Sequence, residues 1–249
     1  MVRRPARART VRWAVGAALA TALAGWLALA WLALHMDSDL AAWTMPSGPD
    51  WELANVLAVA AMWSVMMAAM MLPSALPMIR TYAAISARRG AGGDAAAFAG
   101  GYLVVWLAFS LAATAAQWLA QAAGWMHPMV VSSSKPLTVA LLLIAGAYQF
   151  TPLKRLCLRG CRSPLGFVLG EWRPGARGAL VMGWRHGRLC LGCCWALMAL
   201  LFVGGAMNLA WVAALSLAVA IEKTAPGGER IAATLGVLLI VAAAWQWLR

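Results

Sequence analysis

Charge is scarce in this 249-residue chain. Asp, Glu, Lys and Arg together make up 11% of it, against about a quarter of an ordinary soluble domain. Acidic residues are rarer still, at eight, and there are only three histidines. No P-loop, G-x-S-x-G elbow, H-E-x-x-H pair or dinucleotide fingerprint occurs, so no enzyme class read from those motifs is indicated. There is no convincing internal repeat. Nor is any polar stretch long enough to form a soluble domain with chemistry of its own.

What the chain has instead is apolar sequence, 63% of the total. A helix needs about 20 apolar residues to cross a bilayer. Charge-free runs suited to this lie at 13–34, 53–79, within 95–134, and at 136–153, 189–221 and 231–248. The 189–221 run would be about 50 Å long as one helix, too long for a single crossing. Gly204 and Gly205 near its middle suggest a hairpin of two shorter spans. The expected fold is therefore an all-α, polytopic transmembrane helical bundle forming one domain. Seven spans are expected, with six as the alternative, at about 13–34, 53–72, 97–123, 136–151, 189–203, 206–222 and 231–248, plus a long basic cytoplasmic loop at 152–188. The first span could be a cleavable signal peptide, but its apolar core is too long and no clean cleavage site follows. A retained signal-anchor is the better reading.

The net charge of +12 reflects orientation in the membrane. If the N-terminus is cytoplasmic and seven helices alternate, every basic residue except Lys135 and Arg249 falls on the inside. Asp37, Asp39, Asp50 and Glu52 fall in the first outside loop. This is the bias of the positive-inside rule, and it replaces a nucleic-acid partner as the explanation of the basicity. The lipid bilayer is the expected partner.

The same topology places all five cysteines at the cytoplasmic face, where thiols stay reduced. An odd number of reduced thiols favours metal or redox chemistry over structural disulfides. Three of them lie in His186-Gly187-Arg188-Leu189-Cys190-Leu191-Gly192-Cys193-Cys194-Trp195. On a helix, His186, Cys190, Cys193 and Cys194 share an arc of about 100°. Cys157 and Cys161 are one helical turn apart in a run rich in Arg and Lys, surroundings that favour the thiolate, the form that binds metal.

Other polar and sulfur-bearing residues carry weaker signals. The loop 35–52 holds His35, Met36, Asp37, Asp39 and Met45, with Pro46 and Pro49; it reads as an ordinary polar loop or a loose outer cation trap. Met62, Met66 and Met70 form a stripe in the second span, flanked by Met67, Met71 and Met78. Methionines commonly fill packing gaps, but thioethers also prefer Cu(I), so the stripe is a possible metal relay. Pro73 and Pro77 are expected to kink or end that helix. Gly90, Ala91, Gly92 and Gly93 read as a flexible turn. Gln117 and Gln121 read as interhelical hydrogen-bonding residues. His127, beside Pro128, reads as a solvated histidine. Glu222, next to Lys223, reads as the interfacial limit of the sixth span; unpaired and facing the bundle it would be a functional candidate.

Two blocks together resemble a known bacterial family. The first runs from Met62-Trp63 through Met66-Met67-Ala68-Ala69-Met70-Met71-Leu72-Pro73. The second comprises His186-Gly187, Cys190, Gly192-Cys193-Cys194-Trp195-Ala196-Leu197-Met198, Phe202, Gly205, Met207-Asn208 and Glu222-Lys223. They resemble predicted metal-binding integral membrane proteins, sometimes labelled copper chaperones. The resemblance implies a multi-pass protein of the bacterial inner membrane that handles metal.

From these signals the chain is expected to bind a soft ion, Cu(I) first and Zn(II) as the alternative. The primary site would be His186, Cys190, Cys193 and Cys194, with Cys157 and Cys161 completing or exchanging ligands. A metal-donor or metal-acceptor protein is an expected partner. Two other readings remain open at this stage. One is a membrane thiol oxidoreductase using Cys190 and Cys193 as a C-x-x-C pair. The other is a structural or assembly subunit pinned by a Zn(II) Cys/His site.

Overall fold

A computed structural model describes residues 4–46, 48, 50–90, 94–127 and 130–249. Arg3 of the basic arm, Pro49, Pro128 and Ala91, Gly92 and Gly93 of the glycine run lie outside the described residues. Eleven helices are described: α1 Arg4–Leu34, α2 Asp39–Thr44, α3 Leu53–Arg88, α4 Ala95–Ala122, α5 Lys135–Tyr148, α6 Pro152–Arg162, α7 Pro164–Gly170, α8 Gly175–Ala199, α9 Leu201–Gly204, α10 Leu209–Thr224 and α11 Gly228–Leu248. A two-residue antiparallel pair, β1 Met126–His127 with β2 Val131–Ser132, closes the turn between α4 and α5. The fold is all-α, as expected.

Among the described residues, five stretches are long and apolar enough to cross a membrane: Ala8–Leu34, Leu53–Arg88, Ala95–Ala122, Gly175–Gly204 and Gly228–Leu248. A sixth is reached if α5 and α6, bent by 64° at residues 149–151, count as one broken span. α10, at 16 residues, is shorter than a full crossing.

Three local expectations change. The stretch 152–188 is not a loop: it folds into α6, α7 and the first half of α8. Thr151 caps α6 through its side chain, accepting from Lys154 N at 3.2 Å, and Pro152 sits in the first turn, where a missing N–H does no harm. α8 starts at Gly175, well before the expected boundary at 189. α3 runs on through Pro73 and Pro77 to Arg88, since the carbonyls that prolines release can be tolerated inside a packed bundle. The Gly204-Gly205 break is where expected. Gly205 takes φ 89°, a conformation that suits glycine. Asn208 then caps α10, accepting from Trp211 N at 3.2 Å, while Trp211 Nε1 donates to the Leu200 carbonyl at 2.8 Å.

Glycines set the closest helix approaches. α8 lies parallel to α4, where a Cβ at Gly187 would stand 2.8 Å from Val105 Cγ2 and one at Gly183 would overlap the Phe98 carbonyl. α5 runs antiparallel to α11, with Gly146 against Gly236 and Ile240. Small residues let membrane helices meet backbone to backbone. Gln117 accepts from Trp63 Nε1 at 2.8 Å, tying α4 to α3, and Gln121 accepts from Trp51 Nε1 at 3.0 Å. Gln117 thus bonds between helices as read from sequence, whereas Gln121 bonds the connecting segment before α3, through Trp51 and the Pro46 carbonyl.

Candidate metal centre

α8 carries the centre. The small-residue stripe Gly183, Gly187 draws it onto α4, and Cys190, one turn further along the same face, meets Tyr102. His186, Cys190, Cys193 and Cys194 are all buried, as are Cys157 and Cys161 on α6. All five cysteines are free thiols.

Cys190 is the most heavily engaged. Its Sγ lies 3.0 Å from the Tyr102 hydroxyl and 2.9 Å from Lys223 Nζ, and that ammonium also donates to Ser74 Oγ at 3.0 Å. An ammonium can only donate, so the Cys190 sulfur accepts from it. The Tyr102 hydroxyl also faces the Met71 carbonyl, at 3.1 Å. Cys193 and Cys194 turn back on their own helix and donate to the Cys190 carbonyl at 3.1 and 3.0 Å.

α6 brings the second sulfur source. Cys161 Sγ stands 4.0 Å from Cys193 Sγ. Cys157 packs where Gly192 has no side chain, so that a Cβ there would lie 2.7 Å from its sulfur. Lys154 on α6 donates to Glu222 Oε2 on α10 at 2.6 Å, both side chains 1% exposed, and Arg162 Nη1 donates to the Glu222 carbonyl at 2.7 Å. These bonds hold α6 across the end of α10.

His186 sits among rings: Tyr102 at 5.5 Å, Phe167 at 5.6 Å and Phe98 at 6.1 Å between centroids. Its Nδ1 is buried without a hydrogen-bond partner, an arrangement that native interiors rarely tolerate unless the atom has another use. A cavity of about 190 Å³ opens here, lined in part by His186, Cys161, Met78 and Lys223.

Among the described residues, no three His, Cys, Asp or Glu side chains stand together closely enough to hold an ion as they lie. As they lie, Cys190 is engaged by Lys223, and Cys193 and Cys194 by the backbone. One pair of donors does fit a single soft ion. Two sulfurs on one tetrahedral ion, with bonds of about 2.3 Å, lie roughly 3.8 Å apart, close to the separation of Cys161 and Cys193.

The remaining sequence candidates divide clearly. Met62, Met66 and Met70 are buried, together with Met67, Met71 and Met78; Met78 lines the cavity with Cys161 and the stripe does not. After α1, His35 bonds the Trp31 carbonyl through Nδ1 at 2.9 Å and stacks on the Trp31 ring, which is helix-end packing. Glu222, in the last turn of α10, is not unpaired: it is buried against Lys154. Lys154 and Lys223, two of the basic residues assigned to the inside by charge placement, are both buried. Tyr102 and Ser74 were not singled out, although a tyrosine directly after Gly100-Gly101 in an apolar helix is a signal that could have found the first.

Residues 60–246, well over half of the chain, match the family described as copper chaperone. This chain belongs to the copper chaperone family. Comparison with curated proteins and with solved structures found no match. The copper chaperone match takes in the methionine stripe, all five cysteines and Glu222-Lys223, and leaves α1 and α2 outside. A copper-handling role in a protein with five or six membrane-length apolar helices is what family and fold together support.

Proposed function

We propose that this protein binds Cu(I) in the bacterial inner membrane and passes it on, holding it between Cys161 of α6 and Cys193 of α8. Cys190, Cys194, Cys157 and His186 complete or exchange ligands as side chains rotate. Thiolates and thioethers select Cu(I) over harder ions, and the buried methionines of α3 tip the reading away from Zn(II), which gains little from thioethers. Met62, Met66 and Met70 offer weak successive sites along the membrane. In this reading α5 and α10 complete a seven-pass bundle with the N-terminus and the thiols on the cytoplasmic side, and a soluble or membrane protein donates or accepts the ion.

The observation that carries the proposal is the Cys161–Cys193 sulfur pair, contributed by two separate helices beside a cavity lined by an unpartnered histidine. Anaerobic elemental analysis of the protein in detergent, with Cu(I) and Zn(II) in competition, tests it. About one Cu(I) per chain is expected in the wild type, and none tightly held in Cys161→Ser/Cys193→Ser. Retention of copper by that double variant, or preference for Zn(II), would overturn the proposal.

A further inference from the structure

The cavity beside Cys161 grades from outside to inside. Exposed Thr224 and half-buried Arg162 and Pro164 form its mouth, and buried Cys161, His186, Ser74, Met78 and Lys223 its floor. The charged residues lining it are Arg162 and Lys223, and no carboxylate lines it. The nearest acid in sequence, Glu222, has Lys154 on one oxygen and is not part of the wall. Exposed Arg155 and Arg159 belong to the same helix as Arg162. Arg159 is paired with Glu229 at 2.6 Å, but in the cavity wall itself a free cation approaching Cys161 meets two positive groups and, among the described residues, no carboxylate, where low-dielectric walls strengthen the field.

We infer that copper reaches Cys161 through this cavity as a small anionic thiol complex, a Cu(I) bis-thiolate bearing carboxylates, and not as a free cation. The inference rests on the Cu(I) reading above and adds the form in which the ion is accepted. The space suits a ligand of cysteine size. Arg162 attracts the carboxylates while His186 and Cys161 meet the metal. The exchange balances without redox change. Two Cu–S bonds to the carrier thiolates break and two form, to Cys161 and Cys193. The two protein thiol protons leave on the released carrier thiols, and copper remains Cu(I) throughout.

Three primary-alkanethiol donors, compared at matched free Cu(I) so that their different thiol acidities cancel, vary the charge: Cu(I) complexes of 3-mercaptopropionate, 2-mercaptoethanol and cysteamine, which are anionic, neutral and cationic beyond the sulfur. Transfer to the full chain in neutral detergent is followed anaerobically. At low salt, loading from the mercaptopropionate complex should exceed loading from the cysteamine complex by about tenfold or more, and salt should shrink the difference. Arg162→Gln should reduce the preference and Arg162→Lys should keep it. Equal rates from all three donors, in a chain that still takes up copper, would overturn this inference and leave the Cu(I) reading standing. No uptake from any donor would overturn both.

Discussion

Lys154 Nζ lies 2.6 Å from Glu222 Oε2, with both side chains 1% exposed, and the next residue, Lys223, reaches Cys190 Sγ at 2.9 Å. The end of α10 thus offers a carboxylate to α6 and an ammonium to α8, the two helices whose sulfurs face each other. A buried pair of this kind contributes little against an apolar substitute, but losing one partner strands the other charge. Glu222→Gln should therefore destabilise the protein by about 3–5 kcal/mol, measured by thermal unfolding in detergent. Lys154→Met/Glu222→Leu should recover most of that loss. If the single variant unfolds like the wild type, the pair does not hold α6 in place.

The glycine stripe on α8 makes a second prediction. A side chain at Gly183 would enter the Phe98 carbonyl, and overpacking of this sort costs about 1–3 kcal/mol. Gly183→Val should lower stability by that order and also lower copper stoichiometry, because pushing α8 off α4 separates Cys190 from Tyr102. Normal copper content in a destabilised Gly183→Val chain would show that the α4–α8 contact does not position the thiols.

Cys161 and Cys193 should cross-link. Their sulfurs are 4.0 Å apart, and a disulfide needs them at about 2.05 Å with adjusted rotamers. Treating the copper-free protein with diamide should join α6 to α8, seen as a peptide linking the two after proteolysis, and prior loading with Cu(I) should suppress it. Equal cross-linking with and without copper would place the ion elsewhere.

Replacing Met62, Met66 and Met70 together by Leu tests the relay. Exchanges of this kind conserve volume and usually cost under about 1.5 kcal/mol each, so expression and thiol-bound copper should persist. Copper-dependent behaviour of cells should be impaired. Unchanged copper handling would make the stripe a packing feature only.

Periodicity and charge placement alone settled a good deal. Apolar runs bounded by arginines determine membrane-length helices, because lipid leaves the backbone few other options. The i, i+4, i+7, i+8 spacing from His186 determined that four candidate ligands would share the buried side of α8, since helical geometry is local. Tertiary structure decided what those side chains meet. That Cys190 is taken up by Lys223, that Cys161 from another helix stands 4.0 Å from Cys193, and that Glu222 is paired with Lys154, 68 residues away in the chain, all depend on which helices pack together. The same packing turned 152–188 from an expected loop into helices. Its charges read as solvent-facing in isolation, and Lys154 becomes tolerable inside only because α10 supplies the carboxylate that pairs with it.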